Sequence, residues 1–326
     1  MKSLSDHLRL VLIYLLLLLI SPLSKGAKWS TPRENQPSFK FGIISATLQN
    51  TFRDQKDQNL TSIDYEPNSV TRLLVGVTYL GYSLSGSFAS RANEKSILSK
   101  GETKGADYQF RFFKEQNTFD IYYQKYQGYY IKNSSEIDPQ YVGQDSYMQR
   151  PDMHTEHYGG QYFRSLNPEE FSLSACFEQN GWQKESGGTW FYYGGFDIHH
   201  IDADTTLIPN QLMSIYSSIH DFKRGDFTTL KLGFGGAYAL VFNNFFLATQ
   251  LIFAGGQQKQ VYLINSNQIN KIIPTNGLNV KVGLGYNGDK FYSSLNFFND
   301  STALNIEDKK IDTGTAEATL VFGVHL

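Results

Sequence analysis

Residues 314–326 read GTAEATLVFGVHL. Ala316, Ala318, Leu320, Phe322, Val324 and Leu326 make one apolar face. Thr315, Glu317, Thr319, Val321, Gly323 and His325, mostly small or polar, make the other. That is the two-residue period of a β-strand. A strand that runs to the last residue with no cap or tail leaves a sheet edge open, unless it pairs with the first strand of its own sheet. A closed barrel satisfies the edge, and a bilayer accepts the apolar face. The stretch therefore predicts a transmembrane barrel sealed by its last strand.

Composition agrees. The chain has 326 residues with 24 Phe, 21 Tyr, 3 Trp and 28 Gly, and its mean hydropathy is negative. Barrel strands alternate lipid-facing and lumen-facing residues, so apolar and polar cancel in any window average. Near the start, LVLIYLLLLLI (10–20) follows Lys2 and Arg9 and precedes Ser24 and Gly26, small residues suited to a signal peptidase site. The run is too short for a membrane anchor of about 20 residues and predicts a cleaved export signal over 1–26, with one barrel domain over 27–326. Without 1–26 the chain loses three of its 29 bases and one of its 31 acids, leaving 26 against 30, a net of −4. That balance gives no electrostatic case for nucleic acid. The single cysteine, Cys176, excludes an internal disulfide. An exported chain of this kind points to a bacterial envelope.

Working outward from the last strand, TLKLGFGGAYALVF (229–242), LNVKVGLGY (278–286) and FSLSACFE (171–178) show the same alternation. Counting such runs gives an all-β, antiparallel barrel of about 12 strands. They fall at 38–50, 69–79, 82–91, 105–115, 118–131, 168–178, 187–201, 226–242, 244–263, 276–286, 289–302 and 310–326. Short turns (Leu80-Gly81, Gln116–Thr118, Asn243-Asn244, Asn287–Asp289) alternate with longer polar stretches at 51–68, 92–104, 132–167, 202–225, 264–275 and 303–309. Asn287-Gly288 suits the positive φ of a hairpin turn. Short periplasmic turns on one side and long outer loops on the other are the organisation of outer-membrane barrels. The last strand also resembles the sorting signal read by the outer-membrane assembly machinery. Such signals usually end in Phe; this one ends in Leu326, with Phe322 on the same face.

Several stretches resemble a bacterial domain-of-unknown-function family of predicted outer-membrane β-barrels. They are YEPN (65–68), FFKEQNTFDIYYQKYQGYYI (112–131), FSLSACFEQNGWQKESGGTWFYYGG (171–195), DTTLIPN (204–210) and GYNG (285–288). The resemblance implies the same barrel and envelope location and brings no catalytic residues.

Parity places Arg72, Arg111, Glu178, Lys231, Lys281 and Glu317 toward the lumen. A lipid-facing Arg or Lys at mid-depth costs about 2–4 kcal/mol, so inward is the cheaper choice. These residues read either as paired charges filling the interior or as a pore lining. Twelve strands lie between small, side-chain-filled barrels and wide porins, which favours a narrow or plugged lumen. In 118–131 parity sends either Asp120 and Gln124, or Lys125, toward lipid, so a bulge is expected somewhere. MHTEH (153–157) and HHIDAD (199–204) hold histidines and carboxylates without the spacing of a zinc motif, so rim residues rather than a metal site are expected, and no cofactor. A lipase-like pair of Ser172 or Ser174 with His199 or His200 is an alternative by fold analogy only. Tyr122, Tyr123, Tyr126, Tyr129, Tyr130, Trp190, Tyr192 and Tyr193 are expected in interfacial girdles. The leading expectation is a narrow passive channel or envelope structural protein without catalysis. Its partners would be membrane lipid, lipopolysaccharide and small solutes. The alternatives are a lipid-modifying enzyme and a soluble β-sandwich.

Overall fold

The computed structural model describes residues 30–32, 36–57, 59–68, 71–114 and 116–326. The expected signal segment, 1–26, lies outside them. In chain order the strands are β1 (Ser30–Pro32), β2 (Ser38–Asp54), β3 (Ile63–Pro67), β4 (Thr71–Tyr79), β5 (Tyr82–Ala89), β6 (Lys104–Lys114), β7 (Asn117–Ile131), β8 (Met148–Ser165), β9 (Gly181–Gln183), β10 (Gly187–Asp202), β11 (Arg224–Phe242), β12 (Phe245–Ile264), β13 (Asn267–Asn287), β14 (Phe291–Ile306) and β15 (Lys309–His325). Short helices α1 (Glu94–Lys100), α2 (Ser134–Ile137) and α3 (Leu173–Phe177) lie in connections.

Twelve strands close one antiparallel ring, β2-β4-β5-β6-β7-β8-β10-β11-β12-β13-β14-β15, with β15 returning to β2. Val324 lies opposite Phe39, and Leu320 opposite Ile43. The ring excludes the soluble sandwich. Its outer wall is apolar: Phe41, Leu73, Leu84, Ile121, Leu232, Phe234, Leu247, Phe253 and Phe322 are all exposed. A contiguous band of this kind is stable against lipid rather than water.

The sixth strand departs from the sequence reading. It is β8, inside the expected loop 132–167, and not 168–178. The pattern was hidden because the outward residues at the β8 start, Asp152, His154 and Glu156, are polar. Pro151 also lies beyond the β10 ladder and opposite a break in the β7 ladder, so its missing N–H costs no ladder bond. The stretch 168–178 instead turns into α3, whose first turn is capped by the Ser172 hydroxyl accepting from the Ala175 N–H. Two more expected loops are tight turns. Asn265-Ser266 joins β12 to β13, with both residues at positive φ, and Glu307-Asp308 joins β14 to β15. The long-loop end is therefore long at only some of its connections. Leu80, Gly81 and Asn243 take positive φ in the turns at the other end; Gly288 does not.

The barrel narrows toward its long-loop end. β4, β5 and β6 are short, and above them β3 bridges directly from β2 to β7. The β7 register resolves at Gly128, a bulge between Gln127 and Tyr129 with φ +89. Below it Asp120, Tyr122, Gln124 and Tyr126 face inward, while Lys125 faces outward and pairs with Glu156.

Two buried apolar clusters sit at opposite ends. At the long-loop end, the β10–β11 connection (203–223) folds over the mouth as a cap. Leu207, Ile208, Leu212, Tyr216, Ile219 and Phe222 pack on Phe52, Tyr129, Ile201, Phe227, Tyr262 and Ile311. The Tyr216 hydroxyl donates to the Phe52 and Thr61 carbonyls at 2.9 and 3.0 Å, and Arg150 Nη1 donates to the Thr206 carbonyl at 2.8 Å. Beside the cap, burial pushes the Glu66 carboxyl up, but hydrogen bonds from Lys132, Gln49 and Tyr130 outweigh it and hold the group below its ordinary value. At the short-turn end, the β8–β10 connection (166–186) enters the barrel as a plug. Phe171, Cys176 and Phe177 pack on Phe163, Phe191, Tyr193, Ala237, Ala239 and Phe246. β1 pairs with β9 of the plug, and Asn287 Nδ2 donates to the Gly181 carbonyl at 2.7 Å.

Candidate functional site: an occluded interior chamber

Between the plug and the apolar cluster beneath the cap lies a cavity of about 250 Å³, lined by every ring strand except β11. Strand period 2 turns one residue in two inward, and in this middle layer most of those residues are polar. Asp107 and Arg111 come from β6, Asp120 and Tyr122 from β7, His157 and Gln161 from β8, Asp197 and His199 from β10, Lys281 from β13, Asn296 and Asp300 from β14, and Glu317 from β15. The ring is too narrow for an open bore and too wide for side chains to fill.

Most of the charges are paired. Arg72, 1% exposed, bonds Glu317 at 3.0 Å and also contacts Asp107 and the Tyr126 hydroxyl. Arg111 Nε donates to Asp120 at 2.8 Å, and its other end reaches Glu178. Glu178, 6% exposed, comes from the plug. Lys40 Nζ is 2.7 Å and Lys281 Nζ 3.9 Å from its carboxylate. One plug carboxylate thus meets cations from β2, β6 and β13. Lys281 Nζ also lies 4.7 Å from the centre of the Phe177 ring. Lys231, buried in β11, donates to Thr302 Oγ1 at 2.6 Å.

All six sequence candidates point into the barrel, but they do not form one ring. Arg111, Glu178 and Lys281 converge at the plug. Arg72 and Glu317 form a separate pair, and Lys231 binds across to β14. Glu178 arrives from the plug and not from a barrel strand, because 168–178 is not one.

Sequence reasoning missed Lys40, Asp107, Asp197, Asp300 and the inward histidines. His157 and His199 are cross-strand partners, with ring centres 5.4 Å apart, and His157 Nε2 is 3.6 Å from Asp197. Only the β8 register reveals this, so placing β8 was the missing step. Among the described residues, four buried polar atoms on the chamber wall have no protein partner: Asn50 Oδ1, His199 Nε2, Asn279 Oδ1 and Asn296 Oδ1. Buried polar atoms are rarely left unsatisfied, so a hydrated or solute-filled chamber is what this wall fits.

The nominated serine–histidine pair is not assembled. Ser172 and Ser174 bond each other at 3.0 Å in the plug. His199 and His200 lie toward the cap end of β10, opposite His157 and Glu156. The expected girdle residues also divide. Tyr123, Trp190 and Tyr192 face outward, and Trp190 stacks on Phe234 at 5.3 Å. Tyr122, Tyr126, Tyr129 and Tyr193 line the interior, and Tyr130 packs on Tyr147.

Solved structures similar to this chain are outer-membrane barrels. One is the outer membrane protease OmpT from Escherichia coli, 6% identical, covering 94% of this chain and 99% of that one, with a TM-score of 0.38. Another is the COG4313 outer membrane channel from Pseudomonas putida F1, 10% identical, covering 94% and 100%, with a TM-score of 0.36. A third is the P. putida toluene transporter TodX, 9% identical, covering 89% and 90%, with a TM-score of 0.31. No curated protein matches the chain. A family model described as Domain of unknown function (DUF4421) matches residues 31–325. The chain belongs to that family.

Proposed function

We propose that the protein is an outer-membrane barrel of a Gram-negative envelope that passes small polar solutes through a chamber occluded at both ends. On this reading residues 1–26 are removed on export. β15 offers Leu320, Phe322 and Val324 to the assembly machinery, and the apolar wall sits in lipid and lipopolysaccharide.

The observation that carries the reading is the chamber wall. A barrel built only as a structural element has no need of a polar cavity with buried polar atoms left unpaired between two closures. Its volume suits a small solute, below the 300–1,000 Å³ typical of pockets for drug-sized ligands. At the three amide oxygens the missing partners are hydrogen-bond donors, which hydroxyl- or ammonium-bearing solutes supply. Each closure is one inserted segment, so passage requires movement of 166–186 and of 203–223 without unpairing a barrel strand. The chemistry of the wall favours transport over catalysis.

Liposome swelling tests this. Vesicles holding the wild-type protein should swell slowly in small polyols. The double variant Glu178→Ala/Phe222→Ala, which loosens both closures, should swell at least tenfold faster. Equal rates, with the fold verified by heat-modifiable migration, would contradict the proposal.

A further inference from the structure

The outer wall carries a second constellation, unconnected with the chamber. Along β10 the outward residues run Trp190, Tyr192, Phe196 and Ile198, then His200 and Asp202. The last two therefore stand just above the apolar band, at headgroup level. The register sets β8 beside them: His154 is the partner of Asp202, and Glu156 that of His200. One donor atom from each of His154, His200 and Asp202 lies within 4.8 Å of the others.

We propose that His154, His200 and Asp202 form a site for a borderline divalent transition metal of the Zn²⁺ class. Two imidazoles and a carboxylate are the donors such ions take. His154 Nε2 is 3.6 Å from Asp202 Oδ2, too long for a hydrogen bond. It is close to the ~3.3 Å between two ligands on a tetrahedral ion with bonds of ~2.0–2.1 Å.

Two of the ligands are also held from behind. Arg224 grips the Asp202 carboxylate with two bonds of 2.7 and 2.9 Å, and a carboxylate keeps further lone pairs for an ion. Asp226 Oδ1 sits 2.5 Å from His200 Nδ1. That fixes the proton on Nδ1 and leaves the Nε2 lone pair for the metal, the carboxylate–histidine–metal relation seen at zinc sites. Charge favours a cation as well. Arg224 neutralises Asp202, Lys125 neutralises Glu156, and Asp226 leaves one negative charge behind a neutral His200. With three protein ligands, a fourth position opens outward. Neither histidine motif shows this alone, because the set is assembled across two strands.

Isothermal titration of the refolded full-length protein in detergent with Zn²⁺ alone tests the proposal. The wild type should bind one equivalent. His154→Ala and His200→Ala should each weaken binding at least tenfold, and Asp226→Asn by about 10–100-fold. His157→Ala, on the same strand but facing the chamber, should leave it unchanged. With Cu²⁺ in place of Zn²⁺, the electron paramagnetic resonance spectrum should show two coupled nitrogens, reduced to one in either single variant. These side chains sit on the surface, so each variant should keep its heat-modifiable migration. Absence of saturable Zn²⁺ binding to the folded wild type would overturn the proposal. So would unchanged affinity in the His154→Ala/His200→Ala double variant.

Discussion

Glu178→Ala should unseat the plug, and the chain carries its own reporter. Glu178 is 6% exposed and meets Lys40 at 2.7 Å, Lys281 at 3.9 Å and the Arg111 guanidinium. Removing one member of a buried ion-pair cluster costs about 3–5 kcal/mol, because the remaining charges are left uncompensated. The three cations stand on the barrel wall and the carboxylate on the plug, so the cost falls on the seated state alone. Once the plug leaves, the cations can hydrate. At about 1.4 kcal/mol per factor of ten, the unseated fraction rises by roughly two to three and a half powers of ten. Cys176, the only cysteine and two residues away, is 0% exposed in the seated plug. A maleimide reagent added to folded protein in vesicles reads its exposure without background from other thiols. The wild type should label slowly and Glu178→Ala at least a hundredfold faster. Phe177→Ala, which removes an apolar anchor of the same plug, should also accelerate labelling. Glu317→Gln alters a buried pair with Arg72 that does not touch the plug and should change nothing. Labelling of Glu178→Ala within threefold of wild type, with the barrel still folded, would refute the electrostatic seating of the plug.

Phe222→Ala removes a fully buried anchor of the cap, a loss of about 3–5 kcal/mol in a packed core. It should open the 203–223 segment to limited proteolysis while the barrel keeps its heat-modifiable migration. Gly128 has φ +89, and a Cβ there would lie 2.1 Å from the Glu102 carbonyl oxygen; Gly128→Val should lower the thermal midpoint, with strain of about 1–3 kcal/mol. Leu232 is 71% exposed on the apolar wall, so Leu232→Lys should destabilise the barrel by about 2–4 kcal/mol in lipid, read by urea unfolding in vesicles.

The ring was legible in the sequence because lipid imposes strict alternation. Leu230, Leu232 and Phe234 outside Lys231, Gly233 and Gly235 admit one reading. Where the wall leaves the membrane the constraint lapses, and β8 disappears from view: Asp152, His154 and Glu156 need no apolar face there. The plug misleads in the opposite sense. Phe171, Leu173, Ala175 and Phe177 alternate as a strand would, yet Ser172 caps a helix, and Phe171, Ala175, Cys176 and Phe177 are all buried. Tight turns at Asn265-Ser266 and Glu307-Asp308 were lost among polar residues of long strands that stand clear of the bilayer. The inward direction of Arg72, Lys231 and Lys281 followed from the cost of charge in lipid. Which charge meets which depended on the plug and on the β8 register, neither of which strand parity contains.

The central claim, a polar path closed at both ends, is tested most directly by single-channel conductance in planar bilayers. Wild-type protein should be compared with a chain in which 168–185 and 207–219 are replaced by short Gly-Ser turns, each with and without Lys231→Glu/Lys281→Glu. The account predicts a silent wild type, steady conductance once both closures are gone, and a shift toward cations in the charge-reversed pair. Steady wild-type conductance equal to that of the shortened chain would contradict it, as would silence from a shortened chain that is folded.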